Sequence, residues 1–311
     1  MELCRLDGVH MRYGREEVLR GVSLSVERGS ILGLIGENGS GKSTLLKILA
    51  GILRPNDGQL HAQGERPHVG YMPENCQWYP YLSGAQVLRY FARYSGASEE
   101  VQVETLARVG LAAARDKKVG AYSKGMKQKL GLAQAIIGAP DLLVLDEPTN
   151  GLDPRGISEF YEILQERAQS GTAIVLSSHL LAEIEGRITH AAFLRQGKID
   201  ASGACAELMR AAGLTSRVVL RQVVGGERLS DSARARRWQV LERDGGLDIA
   251  LERNQVSSLL DLVSEVGVEV GDIEVHHANL DDLYLHMSAG PPGFSANGKV
   301  GTRAQSVESN T

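Results

Sequence analysis

The chain has 311 residues, with 38 acidic and 34 basic side chains, a net charge of −4 and 42% hydrophobic residues. This balance offers no basic field to a polyanion, so it argues against general nucleic-acid binding, and it is not acidic enough to predict disorder. The three cysteines form no CxxC pair, which argues against a zinc site or a disulfide framework and fits a reducing cytoplasm. We expect no membrane span, because Pro140 and Asp141 break the best apolar run. We expect no signal peptide either, because Met1 to Val9 hold Glu2, Arg5 and Asp7 instead of a basic start and an apolar run.

Three short apolar runs predict strands that are buried on both faces of a mostly parallel sheet: Ile31 to Ile35, Leu142 to Leu145 and Ala173 to Leu176. Polar or glycine-rich segments follow them, namely Gly36 to Ser43, Asp146-Glu147-Pro148 and Ser177-Ser178-His179. Ligands of open α/β sheets bind beyond the carboxyl ends of the strands. The sequence therefore predicts one site built from three segments that are remote along the chain.

The remaining elements predict two domains of an α/β chain. Helical spacing predicts a helical subdomain over about residues 75–138, in which Ser123 begins a longer helix. Later strand patterns, with Asp244-Gly245-Gly246 as a hairpin turn and Asn254 and Asn279 as helix caps, predict a small α+β domain. We place the first domain at 1–213, the second at 214–288 and a disordered polar tail at 289–311.

Gly36 to Ser43 matches the phosphate-binding loop GxxxxGK[ST], and a predicted strand before it and a helix after it make a chance match negligible. In such a loop, backbone N–H groups at a helix N-terminus bind the β-phosphate, Lys42 reaches the β and γ oxygens, and Ser43 offers a hydroxyl to Mg²⁺. The predicted nucleotide-binding residues here are Asn38, Gly39, Gly41, Lys42, Ser43 and Thr44.

Two carboxylates follow the second buried strand. Asp146 at the strand end is suited to holding Mg²⁺ through its water shell, and Glu147 is suited to orienting and deprotonating the attacking water. Alone, the pair could simply begin a helix at Pro148, but the phosphate-binding loop favours the catalytic interpretation. We therefore predict ATP hydrolysis assisted by Mg²⁺.

The segment Tyr122 to Gln128, which contains Ser123 and Gly125, resembles the signature motif of ATP-binding-cassette (ABC) ATPases. Pro148 to Asp153 and His179 follow in the family's order, and the resemblance extends from about Leu3 to Ser202. It implies a P-loop NTPase cassette with a helical subdomain, to which this chain adds a small C-terminal α+β domain. It also implies that two cassettes close head to tail around two Mg-ATP.

The resemblance assigns further roles position by position. Ser123 and Gly125 of one subunit would bind the γ-phosphate held by the other, and Asp153 would lie in the loop that crosses the dimer interface. A helix N-terminus favours an anion, although Ser123 alone could merely cap a helix. His179 would be the switch histidine that contacts the γ-phosphate. Tyr13 would stack on adenine, with Val18 as an apolar neighbour; in isolation these residues could be structural or surface residues.

Glu74 departs from the family pattern. Most members have a glutamine at this position, which links Mg²⁺ to the membrane partner. A carboxylate still offers an oxygen to Mg²⁺, so we list Glu74 with Ser43 and Asp146 as metal ligands, but it adds negative charge near the phosphates. Lys124 and Met126 also depart from the commonest signature, in the direction of ABC-2-type exporter ATPases.

A narrower resemblance rests on four segments: Pro73 to Gly84, Tyr90 to Arg93, Asp272 to His276 and Leu280 to Tyr284. They are similar to the NosF family, the ATPase subunits of the ABC complex that supports maturation of the copper centres of nitrous oxide reductase in denitrifying bacteria. This implies a homodimer at the cytoplasmic face of the inner membrane that drives a separate integral membrane permease and, through it, acts on a periplasmic maturation protein.

Three alternatives remain open. Related drug, lipid and polysaccharide exporters share part of the four segments, so an exporter ATPase is the first. A soluble ABC protein of DNA repair or translation would usually carry long coiled coils, zinc cysteines or two cassettes, and we see none in the sequence. A module that binds ATP without hydrolysing it would not need Asp146, Glu147 and His179 together.

Overall fold

The computed structural model describes residues 1–243 and 245–288. Asp244 of the expected hairpin turn and the tail expected at 289–311 lie outside the described residues. The chain divides into two compact units, of which the first is Met1–Cys205 and the second begins at Ala206. Within the described part of the chain, no helix is both long and apolar enough to cross a membrane.

A six-stranded sheet forms the centre of the first unit, in the order β5-β6-β7-β3-β8-β9. Its strands are β3 (Ile31–Ile35), β5 (Val69–Met72), β6 (Leu142–Leu145), β7 (Ala173–Ser178), β8 (His190–Arg195) and β9 (Lys198–Ala204). Only β8 and β9 pair antiparallel; the other neighbours are parallel. All residues of β3, β6 and β7 are buried, as their continuous apolar sequences predict.

A second, antiparallel sheet of three strands has the order β2-β1-β4. Its strands are β1 (Glu2–Tyr13), β2 (Glu16–Glu27) and β4 (Asp57–Ala62). Together with helix α1 (Lys42–Leu49) and the central sheet it encloses one apolar core, in which Leu6, Leu34 and Leu46 are fully buried. Because both β3 and α1 contribute residues to this core, it fixes the helix relative to the strand that precedes it by one short loop.

The remaining helices of the first unit are α2 (Gly84–Ser95), α3 (Glu99–Arg108), α4 (Lys124–Ile136), α5 (Pro154–Gln169) and α6 (Leu181–Ile184), with 3₁₀ turns at Ala112–Ala114 and Val119–Ala121. Short polar residues cap α2, α3 and α4: Ser83, Ser98 and Ser123 each accept a hydrogen bond from a backbone N–H of the first turn. The helix start expected at Ser123 is confirmed, since Ser123 caps α4.

The second unit begins within α7 (Cys205–Ala211), after its first residue. Its other elements are β10 (Ser216–Val224), α8 (Gly226–Ala235), β11 (Gln239–Arg243), β12 (Gly246–Leu251), a 3₁₀ turn (Arg253–Gln255), α9 (Val256–Val266), β13 (Glu269–His276) and α10 (Leu280–Ser288). Its antiparallel sheet has the order β11-β12-β10-β13. From β10 to β13 this is a ferredoxin-like βαββαβ arrangement. Its own core includes Val218, Leu229, Ile249 and Leu259.

The caps of the second unit correct one expectation and confirm another. Asn254 does not cap α9; it lies inside the 3₁₀ turn, which begins with a capping box between Glu252 and Gln255. Asn279 does cap α10, since its Oδ1 accepts a hydrogen bond from the backbone N–H of Asp282 at 2.9 Å. Helix α8 was not expected from the sequence.

Candidate functional site

The phosphate-binding loop leads from the end of β3 directly into α1. Gly41, the residue before the helix, has φ +107°, and no side chain caps the helix start. A Cβ atom at Gly41 would lie 2.8 Å from a methyl carbon of Leu19 and 3.1 Å from the carbonyl oxygen of Val18. Only glycine fits this conformation and this space. The backbone N–H groups of the first turn of α1 are therefore free of a side-chain cap and suited to an anion.

Lys42 begins α1 with only 7% of its surface exposed. Its Nζ donates hydrogen bonds to the carbonyl oxygens of Gly36 at 2.7 Å and Glu37 at 3.1 Å. Burial lowers the pKa of Lys42, and the negative charges of Glu147, Asp146 and Glu74 act in the opposite direction. Three carboxylates from two segments of the chain thus act on the charge of one ammonium group.

Ser177 joins the two carboxylate residues that follow β6. Asp146 is 3% exposed, and its Oδ1 accepts a hydrogen bond from Ser177 Oγ at 2.7 Å. The same Oγ accepts a hydrogen bond from the backbone N–H of Glu147 at 2.8 Å. Because β6 and β7 are neighbours in the sheet, this buried hydroxyl fixes the Asp146 carboxylate and the Glu147 backbone together.

Glu147 has φ +44°, a left-handed conformation that a residue with a Cβ rarely adopts. Its carboxylate Oε2 lies 2.8 Å from Nδ1 of His179, the residue after β7. The Glu147 side chain is 12% exposed and that of His179 is 38% exposed. A strained backbone under a carboxylate that another side chain orients is typical of functional sites.

Comparison with known proteins identifies the family of this site. A family model described as ABC transporter matches residues 19–150. YdbJ of Bacillus subtilis, an uncharacterized ABC transporter ATP-binding protein, is 32% identical over 294 residues, which cover 91% of this chain and 94% of YdbJ. The chain belongs to the ABC transporter ATP-binding proteins. ABC cassettes hydrolyse ATP in transport, and this activity is the one that the sequence predicted.

Two further similarities extend the assignment of this chain to the ABC family. Daunorubicin resistance ATP-binding protein DrrA3 of Streptomyces coeruleorubidus is 30% identical over 308 residues, covering 91% of this chain and 95% of that protein. A solved ATP-binding subunit of an ABC transporter aligns with a TM-score of 0.63 and 31% identity, covering 68% of this chain and 93% of that one. The predicted fold class, a P-loop ABC cassette, is confirmed.

In this ABC ATPase the signature residues lie at the start of α4. Ser123 is exposed, and its Oγ accepts a hydrogen bond from the backbone N–H of Met126 at 3.2 Å. A Cβ atom at Gly125 would lie 3.1 Å from the carbonyl oxygen of Gly151, so the helix start and the loop before α5 are in close contact. This contact places the signature beside the Pro148–Asp153 loop of its own chain.

The outer residues of the candidate site have distinct settings. Asp153 caps α5, because its Oδ1 accepts a hydrogen bond from the backbone N–H of Gly156 at 2.9 Å. Tyr13 ends β1 and is 49% exposed, which leaves ring surface available for stacking. Val18 is half-buried and lies against Gly41, beside the phosphate-binding loop. The structure describes no contact that joins Tyr13 to that loop.

The oxygen donors at this site fit Mg²⁺. Within the described residues, no group of three or more histidine, cysteine or acidic side chains could hold a metal by itself. Mg²⁺ usually retains waters and takes only one or two carboxylates together with substrate phosphates. The hydroxyl of Ser43 and the carboxylates of Asp146 and Glu74 are suitable oxygen ligands of this kind. When bound there, Mg²⁺ would neutralise charge on the phosphate oxygens.

Three polar residues around Glu147 were not predicted from the sequence. Besides Ser177, they are Gln128, whose Nε2 donates to the carbonyl oxygens of Glu147 and Pro148, and Thr149, which donates to Glu183 at 2.7 Å. Gln128 ends the signature segment and Ser177 follows a predicted strand, so both residues lie in segments that the sequence had singled out. Nothing in either local pattern indicates which remote backbone atom the side chain binds.

Proposed function

We propose that this chain hydrolyses ATP with the site around Lys42 and Glu147. Lys42 and the first turn of α1 bind the phosphates, and Ser43, Asp146 and Glu74 hold Mg²⁺. Glu147 acts as the general base toward water, with His179 orienting its carboxylate and contacting the γ-phosphate. The observation that carries this proposal is the 2.8 Å contact between His179 and the Glu147 carboxylate, next to the buried Lys42.

We further propose that two copies share their sites, with Ser123, Gly125 and Asp153 of one chain completing the nucleotide site of the other. The exposure of Ser123 at an N-terminus of a 13-residue helix supports this proposal, since both its hydroxyl and the helix dipole favour a phosphate from outside the chain. Each catalytic site then needs Lys42 and Glu147 from one subunit and Ser123 from its partner.

A mixing experiment tests the shared site. Lys42→Ala and Ser123→Ala chains should each be inactive as homodimers, because every site would carry one defect. In their heterodimer one site receives both defects and the other receives none, so ATPase activity should return to at most about half of the wild-type rate per dimer. The measurement is phosphate release after exchange between differently tagged chains, with exchange verified by pull-down.

The matched control mixes Lys42→Ala with Glu147→Gln. Both of these residues belong to the same half of the site, so each site of that heterodimer keeps one defect and no activity should return. If the Lys42→Ala and Ser123→Ala mixture also stays inactive, ATP binding to the heterodimer decides between two explanations. One intact binding site would mean that both sites must fire together, and its absence would contradict the shared site.

An exposed aromatic patch supports a permease-binding role for the first unit. It consists of Tyr79, Tyr81, Tyr90 and Tyr94, all more than half exposed. Ring contacts pair Tyr79 with Tyr81 and Tyr90 with Tyr94. The patch follows Glu74 closely along the chain. We propose that it binds a cytoplasmic segment of an integral membrane permease, which would place the ATPase at the cytoplasmic face of the inner membrane.

For the process that this ATPase drives, we propose copper-centre maturation of nitrous oxide reductase, with a periplasmic maturation protein reached through the permease. The support is the resemblance of Pro73 to Gly84 and of the two C-terminal segments to the NosF family. The second candidate is a drug, lipid or polysaccharide exporter, which the similarity to DrrA3 over 91% of this chain favours.

A deletion strain separates the two candidates. Under the first, loss of this chain should leave nitrous oxide reductase polypeptide present without complete copper centres, while drug sensitivity stays unchanged. Copper content and nitrous oxide reduction are the measurements, and complementation with the wild-type chain against Glu147→Gln is the control. Normal nitrous oxide reduction in the deletion strain would instead favour the exporter.

A further inference from the structure

We propose that Gln128 is a positioning residue that fixes the backbone of Glu147, and that it thereby connects the two nucleotide sites of a dimer. This inference rests on the proposed roles of Glu147 and Ser123. It goes beyond them, because Gln128 is buried against the Glu147 loop and would act through Glu147.

The contacts of Gln128 reach the loop that carries the proposed base. Gln128 lies in α4 and is 3% exposed. Its Nε2 lies 3.3 Å from the carbonyl oxygen of Pro148 and 3.4 Å from that of Glu147. A buried amide needs partners for its N–H groups, and here the two consecutive carbonyl groups supply them. The side chain is therefore committed to this loop.

Glu147 needs such support because its backbone is in the left-handed region, at φ +44°. Three side chains hold it at three different atoms. Ser177 accepts from its N–H, Gln128 donates to its carbonyl oxygen, and His179 lies against its carboxylate. Without Gln128 the peptide after Glu147 loses its side-chain donor, and the carboxylate is freer to leave the position required for attack.

The same helix connects this contact to the signature. Ser123 and Gly125 precede Gln128 within about one and a half turns of α4. The first turn of α4 also contacts the Pro148–Asp153 loop, since a Cβ atom at Gly151 would lie 2.5 Å from the Lys124 side chain. A displacement of the helix start by the partner's nucleotide would therefore move the support of this chain's own Glu147. Gln128 thus supports the Glu147 of its own chain, while the start of the same helix would contact the nucleotide held by the partner.

The first test is Gln128→Met, which keeps the length and helix propensity of the side chain and removes the amide. We expect kcat to fall about tenfold or more while KM for ATP stays within about twofold, because binding residues are untouched. Gln102→Met is the matched control: Gln102 also donates to a backbone carbonyl in the helical region, that of Ala97 at 3.3 Å, and its replacement should leave kcat unchanged.

The Glu147→Gln background tests whether Gln128 acts through Glu147. If it does, adding Gln128→Met should not lower the residual rate further. An independent further loss, or an unchanged kcat in the single variant, would overturn the inference. If Gln128→Met does not fold, Gln128→Glu, which keeps the shape of the side chain but replaces its donor, is used with the same expectation. Failure of Glu147→Gln to slow hydrolysis would instead contradict the proposed base.

Heterodimers separate the role proposed for Gln128 from general damage to α4. With Glu147→Gln on one chain, only the Glu147 of the other chain can act. Gln128→Met should lower activity when it lies on the chain with the intact Glu147, and should not when it lies on the Glu147→Gln chain. The reverse pattern would mean that Gln128→Met acts on the nucleotide site of the partner chain, through Ser123. A heterodimer that carries Glu147→Gln on one chain and no other change must be active for this test. If it is inactive, the Glu147→Gln homodimers with and without Gln128→Met decide.

Discussion

Replacing Lys42 with alanine is expected to weaken ATP binding by about tenfold to a hundredfold, the usual cost of losing a charged hydrogen-bond donor. Lys42 is buried, and its Nζ donates hydrogen bonds to two carbonyl oxygens of the phosphate-binding loop. No other described contact places an ammonium group over the loop carbonyls of Gly36 and Glu37. The measurement is the ATP-dependent shift of the melting temperature, with the nucleotide-free melting temperature recorded beside it.

Lys47→Ala is the matched control for this experiment. Lys47 lies in the last turn of the same helix, so its loss removes the same charge from α1 at the end remote from the loop. Its ATP-dependent shift should equal that of the wild type. An unchanged shift in the Lys42→Ala protein would contradict the assignment of the phosphate-binding loop.

Replacing Glu147 with glutamine should lower hydrolysis by about a hundredfold to ten-thousandfold, the usual contribution of a general base. Mg-ATP binding should be kept, because the amide has the size of the carboxylate and retains an oxygen toward His179. ATP would then hold the two chains together for longer. Phosphate release gives the rate, and size-exclusion chromatography with ATP should show a stable dimer.

Glu162→Gln is the matched control for Glu147→Gln. It makes the same chemical change on the exposed face of α5 and should leave both the hydrolysis rate and the chromatogram unchanged. Turnover by Glu147→Gln near the wild-type rate would show that another group activates the water. A loss of ATP binding would show that the carboxylate contributes to binding rather than to the chemical step.

The central sheet and its nucleotide loop were predictable from the sequence because their signals are local and strong. The runs in β3, β6 and β7 are continuous, and the phosphate-binding loop is defined by its glycines and Lys42. The three-stranded sheet gives a weaker pattern. Register shifts in the pairing of β1 with β2, at Glu2/Cys4 and at Met11/Arg12 among others, interrupt the alternation that a strand would otherwise show.

Helix α8 lacked a start signal. Gly225 precedes it in a left-handed conformation without a side-chain cap, and most of the helix is polar, with Leu229 and Ala233 as its buried apolar residues. Asn254 gave a false cap because Glu252 and Gln255 form a competing one. A side-chain cap is a short-range signal, so polar residues close together in the sequence can each match the pattern of a cap for the same helix start.

The arrangement around Glu147 could not be predicted at all from local pattern. Its left-handed backbone depends on partners 19 and 30 positions away along the chain, Gln128 and Ser177. Sequence spacing shows which strands end near each other, but it does not show which side chain there turns toward a backbone atom. The residues expected to do the chemistry could be predicted from the sequence, whereas the residues that hold them in position could not.

The hydroxyl of Ser177 has only one hydrogen, and the structure commits it to the Asp146 carboxylate. Its oxygen is thereby oriented to receive the Glu147 N–H. With the roles proposed for Asp146 and Glu147, metal coordination and water activation are thus not independently adjustable: a change in the charge or position of Asp146 is passed, through one hydroxyl that rotates about its Cβ–Oγ bond, to the peptide of the proposed base. A threonine could preserve that bond, whereas alanine would separate the two functions and leave two buried polar groups unpaired.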